Sequence, residues 1–316
     1  MIDWNNHDGV NLPMINDFMR NQFYENIIKD NVKNKTVLDI GFGTGLLSML
    51  ALKHGANKII AYESNPERYQ LGLNIIQDCG LQSKIDLVNK KYTWQDLEHL
   101  QVDVAISETV NGDLWQEGMW NSLPRKPGVF FLPSKYFLEI HVQSVPKIFA
   151  ESIGMKKTDT EFFTPGVDLD HRFIQTVNKN ISNWNTTPVI PINKQDIKIG
   201  INQFDNRIEG THGFIPFMRM VTDNTSLKAK IEIDANATTV NNQPIEFDKK
   251  YLTSQVENLD PNQYYIVVPR AGLQHDQYKL YLDTGHWGPT NSAVIVHGLN
   301  RLVVSHDVHR GKISYT

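Results

Sequence analysis

The chain has 316 residues, of which 40% are hydrophobic and 21% charged, and its formal net charge is -4 at pH 7. This composition is typical of a folded globular protein with room for two packed domains. The negative net charge argues against a surface that mainly binds nucleic acid, because affinity for phosphate backbones needs clustered lysines and arginines.

Cys79 is the only cysteine in the sequence, so neither an intramolecular disulfide nor a multi-cysteine zinc site can form. The first ten residues lack the basic-then-apolar order of a signal peptide, and no stretch approaches the roughly 18 apolar residues of a membrane span. We therefore expect a soluble cytoplasmic protein that holds no metal and binds neither nucleic acid nor membrane.

The first half of the chain alternates between helical and strand patterns. Apolar residues recur with helical spacing over Leu12–Asp30, which predicts one amphipathic helix. Short apolar strands then alternate with helices, which predicts a Rossmann-like α/β domain around a parallel sheet. The predicted strands are Thr36–Ile40, Lys58–Tyr62, Ile85–Val88 and Val102–Ile106, and the helices between them are Leu46–His54 and Pro66–Cys79.

The pattern changes near Pro124–Pro133, where residues that favour turns cluster and predict a domain boundary. Beyond it, alternating polar and apolar runs predict a mainly antiparallel, barrel-like β domain over 134–316. These runs are Tyr136–Gln143, Lys228–Ile233, Tyr264–Pro269, Lys279–Asp283, Ala293–His297 and Arg301–Ser305. The segment 146–185 shows no clear period.

A glycine-rich turn follows the first strand, in the run TVLDIGFGTG that begins at Thr36. Its three glycines, Gly41, Gly43 and Gly45, allow backbone angles that side chains forbid, so a cofactor can lie against the main chain. Glu63 ends the second strand 24 residues after Asp39 (63 minus 39), where a carboxylate can accept hydrogen bonds from both hydroxyls of a ribose.

The spacing Gly-x-Gly-x-Gly differs from the Gly-x-Gly-x-x-Gly turn that seats a dinucleotide pyrophosphate. With Asp39 just ahead of it, this turn resembles that of the class I S-adenosylmethionine methyltransferases, whose cofactor carries no phosphate. The resemblance implies that S-adenosyl-L-methionine is the cofactor and that 23–133 is the domain that binds it. Asp39, the three glycines and Glu63 are then its cofactor-binding residues.

The loop after the fourth strand contains two glutamates, Glu108 and Glu117, nine residues apart (117 minus 108). Strand ends at this edge of such a sheet face the ligand. Two carboxylates held close together repel unless a cation lies between them, and a planar guanidinium with five donors meets that demand.

This loop, SETVNGDLWQEG, resembles the double-glutamate loop of the protein arginine methyltransferases, nearest to divergent members whose loop ends in Glu-Gly. The resemblance implies that both glutamates hold the substrate guanidinium, that Glu108 also borders the cofactor, and that Met14, Trp115 and Met119 line the substrate site.

Two distant segments extend the resemblance. Met14, Asp17 and Arg20 match the family's Met-x-x-Asp-x-x-Arg helix, within an N-terminal segment 1–22 that covers the cofactor. Arg20 is then expected to bind the methionine carboxylate, and Asp17 to pair with a catalytic histidine. Thr284-Gly285-His286-Trp287 supplies that histidine, His286, and a pocket wall, Trp287, although Gly285 departs from the family's Thr-His-Trp.

The predicted function is methyl transfer from S-adenosylmethionine to arginine in a protein or peptide, by a homodimer whose arm lies in 146–185. A small-molecule or non-arginine acceptor is the alternative, and an inactive binding module is a third interpretation. A methylase of nucleic-acid bases is disfavoured, because the fourth strand leads into Ser-Glu-Thr-Val in place of the Asp/Asn-Pro-Pro-aromatic run that holds a flipped base.

Overall fold

The structure is a computed structural model that describes residues 14–110, 114–115, 117–125, 128–145, 227–282, 294–309 and 312–316. Its contacts separate two compact units. The first contains Met1–Phe137, Glu232–Asp248 and Gly272–Tyr281, and the second contains Leu138–Ile231, Lys249–Ala271 and Leu282–Thr316. The domain boundaries at residues 22 and 133 stay predictions.

The first unit contains a five-stranded parallel sheet with strand order β3-β2-β1-β4-β5. Its strands are β1 (Thr36–Ile40), β2 (Lys58–Glu63), β3 (Ile85–Asn89), β4 (Val104–Ser107) and β5 (Phe130–Leu132). Its helices are α1 (Phe18–Lys29), α2 (Leu46–Lys53), α3 (Pro66–Asp78), a 3-10 helix (Trp94–His99) and α4 (Met119–Ser122). This order confirms the predicted Rossmann-like fold, in which the carboxyl ends of neighbouring strands meet at one edge.

The prediction of one continuous helix over Leu12–Asp30 is wrong. Met14 and Ile15 form a separate helical turn, and the backbone is extended at Asp17, with φ -77° and ψ 92°. The Asp17 carboxylate accepts a 3.1 Å hydrogen bond from the backbone N–H of Arg20 and so caps α1. A short acidic side chain competes well for these unpaired amides, so the chain starts a new helix there.

Close packing between α3 and the sheet depends on Gly72. The Phe42 ring is buried, with 3% of its surface exposed, and lies against this glycine. A Cβ atom at position 72 would lie 2.8 Å from Phe42 Cε1 and 2.7 Å from Leu87 Cδ2. Gly72 therefore allows Phe42, a large aromatic residue of the glycine turn, to be buried beneath α3.

Replacing Gly72 with alanine is expected to lower the free energy of unfolding by about 1–3 kcal/mol, because overpacking outweighs the higher helix propensity of alanine. Denaturant unfolding measures the change. Gln77→Ala, at an exposed position of the same helix, is the matched control. Recovery of stability when Phe42→Leu is added would assign the loss to this contact, whereas no recovery would contradict the explanation.

Antiparallel strands make up the remaining sheets, as predicted. They are β6 (Lys135–Val145), β7 (Leu227–Asp234), β8 (Thr239–Val240), β9 (Gln243–Pro244), β10 (Tyr251–Val256), β11 (Tyr264–His275), β12 (Tyr278–Tyr281), β13 (Val294–His297), β14 (Leu302–Asp307) and β15 (Lys312–Tyr315). One sheet has the order β10-β14-β15, and the other has β12-β11-β6-β7-β8-β9 with β13 paired to β11.

The sequence patterns do not predict β5, β8, β9, β10 or β15, and they end β11 too early, at Pro269. The strand continues to His275 because its last four residues pair with β12 in a tight hairpin. Within the described ranges, no helix is both long enough and apolar enough to cross a membrane.

Candidate active site

The glycine turn after β1 has the backbone conformation that its sequence predicts. Gly41, Gly43 and Gly45 all have positive φ angles, of 88°, 55° and 80°. A Cβ atom at Gly45 would lie 2.5 Å from Phe42 Cζ, whereas the space around Gly43 is open to 4 Å. The turn therefore needs glycine for its angles and leaves room beside its second glycine.

Glu63, at the end of β2, lies against this turn. Its Oε2 accepts a 2.9 Å hydrogen bond from the backbone N–H of Gly43, and its Oε1 accepts a 2.8 Å bond from that of Asn65. The side chain is buried, yet each carboxylate oxygen can accept a second bond. The structure thus brings the predicted ribose acceptor to the predicted turn.

Asp39, at the sheet edge just before the turn, is a buried acid with one hydrogen-bonded oxygen. Ser48 Oγ donates to its Oδ2 at 2.5 Å, and Oδ1 has no hydrogen-bond partner within the described residues. Burial raises the pKa of Asp39 from 3.8 to about 7, against the opposing effect of the Ser48 bond. Ser48 is not among the predicted site residues, because its only signal in the sequence is that of a polar residue in the first turn of α2.

The raised pKa of Asp39 predicts a pH-dependent stability. Below about pH 4 the carboxyl is protonated in both states, and between about pH 4 and 7 only the unfolded chain ionises, which favours unfolding. The stability of the wild type relative to Asp39→Asn is expected to fall by about 4 kcal/mol across this window and to stay constant above it. Urea unfolding at a series of pH values tests this, and a pH-independent difference would contradict it.

Arg20 and Glu108 form a buried ion pair at the same edge of the sheet. The Arg20 Nη2 to Glu108 Oε2 distance is 2.8 Å, and only 4% and 6% of the two side chains are exposed. Burial lowers the pKa of Arg20, but the adjacent carboxylate outweighs burial and the net pKa is raised. Arg20 Nε is also buried and has no hydrogen-bond partner within the described residues.

A small cavity joins several of the predicted site residues. It has a volume of ≈ 30 Å³, and its lining includes the helical turn at Met14 and Ile15, the glycine turn, and Glu108 after the end of β4. Those predicted from sequence are Met14, Arg20, Gly41, Gly43 and Glu108. This space has room for about two water molecules and is smaller than a nucleoside.

The loop after β4 is anchored by buried aromatic residues. Tyr24 on α1 donates a 3.0 Å hydrogen bond to the carbonyl of Ser107. Trp115 and Trp120 pack edge to face with their centroids 6.2 Å apart, and both are fully buried. Leu114 is also buried and has a φ of 73°, a left-handed conformation that costs about 1–2 kcal/mol in a residue with a side chain.

The predicted substrate-site residues differ in exposure. Glu117 is exposed and is followed by Gly118, whose φ of 91° starts α4. Trp115 and Met119 are buried in this structure, with 1% and 0% exposed. Their roles stay predictions.

The remaining predicted residues, His286, Trp287 and the arm at 146–185, lie outside the described residues. The pairing of Asp17 with His286 therefore stays a prediction, and the described role of the Asp17 carboxylate is to cap α1.

Part of the sequence is similar to known methyltransferases. A family model described as O-methyltransferase matches residues 10–109. Protein arginine N-methyltransferase 9 of Xenopus laevis is 38% identical over 115 residues, which cover 35% of this chain and 14% of that protein. Protein arginine N-methyltransferase 1 of Saccharomyces cerevisiae is 35% identical over 120 residues, covering 37% and 34%.

Protein arginine N-methyltransferase 8-B of Danio rerio is 35% identical over 144 residues, which cover 42% of this chain and 34% of that protein. The matched part of this chain thus spans about a third or less of these relatives' length.

The fold is similar to solved structures over nearly the whole chain. The crystal structure of PRMT6 superposes with a TM-score of 0.59 at 12% identity and covers 98% of both chains. The structure of PRMT6-SAH gives a TM-score of 0.55 at 14% identity and covers 98% of this chain and 99% of that one. About a third of this chain is thus similar in sequence to protein arginine N-methyltransferases, and its fold is similar to that of PRMT6.

Proposed function

We propose that this protein transfers a methyl group from S-adenosyl-L-methionine to a guanidinium nitrogen of arginine in a protein or peptide. The observation that carries the proposal is the buried Arg20–Glu108 pair beside the glycine turn. It places a cation suited to the cofactor carboxylate next to an acid suited to a guanidinium. The similarity of about a third of the chain to arginine N-methyltransferases supports the same acceptor.

The residues at this edge fit the proposed cofactor. Glu63 can accept bonds from the ribose hydroxyls, since each of its oxygens makes only one described hydrogen bond. Gly43 leaves open space for close approach, and Arg20 Nε, which has no hydrogen-bond partner among the described residues, is a donor that a carboxylate can use. When bound, S-adenosylmethionine would supply an electrophilic methyl group on a positively charged sulfur, and cleavage of that S–C bond would leave neutral S-adenosylhomocysteine.

The acceptor chemistry follows from the two glutamates. A protonated guanidinium is a poor nucleophile because its lone pairs are delocalised and its pKa lies above about 12. Glu108 and Glu117 orient it and draw positive charge toward the nitrogens that they hold, so the remaining terminal nitrogen becomes more nucleophilic. Holding that nitrogen at attack distance supplies most of the acceleration, up to about 7–11 kcal/mol in favourable systems.

As the new N–C bond forms, the guanidinium must lose a proton. In the proposal, His286 accepts this proton and Asp17 orients the imidazole. Met14, Trp115, Met119 and Trp287 form the walls around the substrate, and residues 1–22 cover the cofactor.

A different acceptor is the second candidate, and one observation favours it. The family model that matches residues 10–109 is described as O-methyltransferase, which names an oxygen acceptor. Its match ends at Thr109, before Glu117. The part of the chain matched by this model therefore does not decide whether a nitrogen or an oxygen atom accepts the methyl group.

The oligomeric state of the protein and its location in the cell belong to the same proposal. We propose a homodimer bridged by 146–185, acting in the cytoplasm on protein substrates and binding neither nucleic acid nor membrane. The net charge of -4 supports the exclusion of nucleic acid. Light scattering of the purified protein distinguishes a dimer from a monomer.

The decisive experiment is mass spectrometry of an arginine-rich peptide pool incubated with the protein and S-adenosylmethionine. Methyl masses on arginine are expected. Methylation of groups other than arginine would contradict arginine as the acceptor and favour the second candidate. The absence of any methylation, in a preparation shown to bind S-adenosylhomocysteine, would do the same.

A further inference from the structure

A second, larger cleft lies in the first unit, beside the residues that lead into β4 and β5. It has a volume of ≈ 640 Å³, within the range of about 300–1,000 Å³ that small-molecule sites occupy. We call it the entry-side cleft, and the residues that matter are Trp94, Leu97, His99, Val102, Arg125 and Val129. Because β4 and β5 are parallel and the glycine turn lies at their carboxyl edge, this cleft lies at the opposite edge of the sheet.

Arg125 is a cation of this cleft that has no ion-pair partner among the described residues. Its guanidinium carbon lies 4.0 Å from the ring centroid of Phe247 and 5.2 Å from that of Trp94. Its Nε is fully covered and has no hydrogen-bond partner within the described residues, and burial lowers the pKa of the group. Glu98 lines the same cleft, but burial alone shifts the pKa of Arg125, so no carboxylate among the described residues offsets its charge at close range.

The surroundings favour an anion that also has an apolar part. The two aromatic rings hold the guanidinium in place but use none of its strong N–H donors, which match a carboxylate or phosphate in a paired geometry. His99 adds a second donor to the cleft wall, while Trp94, Leu97 and Val129 offer apolar surface. A partly buried cation without a partner gains most from a ligand that brings the missing charge.

We propose that the entry-side cleft binds a small amphipathic anion, whose carboxylate or phosphate contacts Arg125 and whose planar or apolar body packs against Trp94. This site is separate from the cofactor edge and does not depend on the proposed methyl transfer.

Calorimetric titration of the full chain with phenyl phosphate and with phenylacetate tests the proposal, in the presence of saturating S-adenosylhomocysteine. We expect saturable binding of at least one probe, weakened about tenfold or more by Arg125→Gln. Arg301→Gln, which removes the same charge at an exposed position of the second unit, should leave binding unchanged. Binding of phenyl phosphate alone would identify a phosphate ligand, and binding of both would extend the class to carboxylates.

A second variant covers the case in which Arg125→Gln unfolds. Trp94→Leu should weaken binding and remove the change in tryptophan fluorescence that accompanies it. The proposal is overturned by equal binding to wild type and folded variants, by loss of binding when S-adenosylhomocysteine is present, or by no binding of either probe.

Discussion

Replacing Glu108 with glutamine is expected to lower the rate of methyl transfer by about 100-fold or more, because the neutral amide no longer draws charge onto the held guanidinium nitrogens. Binding of S-adenosylhomocysteine should change by only a few fold, since Arg20 and Glu63 remain. Single-turnover rates and cofactor titration measure the two effects separately.

Glu257→Gln is the matched control for this prediction, because Glu257 is exposed and belongs to the second unit. Glu117→Gln should resemble Glu108→Gln in rate but should cost less stability, since Glu117 is exposed and Glu108 is buried. Retained turnover in both glutamine variants would show that the carboxylates do not hold the acceptor, even if methylarginine remained the product.

Replacing Arg20 with methionine is expected to destabilise the fold by about 3–5 kcal/mol, because it leaves the buried Glu108 carboxylate without its partner. The same change should weaken cofactor binding by about 10–100-fold, the effect of losing a charge-assisted hydrogen bond. Lys29→Met, at an exposed position on the same helix, controls for the loss of a positive charge.

A double variant separates these two effects. Arg20→Met with Glu108→Gln removes both charges, so much of the lost stability should return while cofactor binding and turnover stay impaired. Equal instability of the single and double variants would show that Arg20 contributes by packing and not by its charge. Normal cofactor affinity in Arg20→Met would remove this residue from the proposed binding site.

The sequence predicted β1 to β4 and the helices α2 and α3 of the first unit because their signals are local. Strand β1, the glycine turn and the helix after it each follow from a few neighbouring residues, and the observed bounds lie within about two residues of those predicted. The sequence signal for Asp17 as a helix cap is equally local, but the helical spacing of the apolar residues around it hides the break in the helix. A periodic pattern cannot show where a capping side chain interrupts the backbone.

The candidate site was predicted only as a set of residue types at strand ends. Parallel topology brings the ends of β1, β2 and β4 to one edge, so Asp39, Glu63 and Glu108 could be placed there from sequence alone. How each acid is bonded could not be predicted in the same way. Ser48 binds Asp39 and the Gly43 amide binds Glu63 only because the helix and turn close over them.

The sequence by itself therefore determined the layered fold, the glycine turn and the acids that surround it, since these depend on spacing along the chain. Only the tertiary structure decided that Arg20 pairs with Glu108 across 88 positions, that Phe42 packs on Gly72, and that Arg125 lies between two aromatic rings. These contacts, like the raised pKa of Asp39, arise from burial among residues distant in sequence, a property that no local pattern encodes.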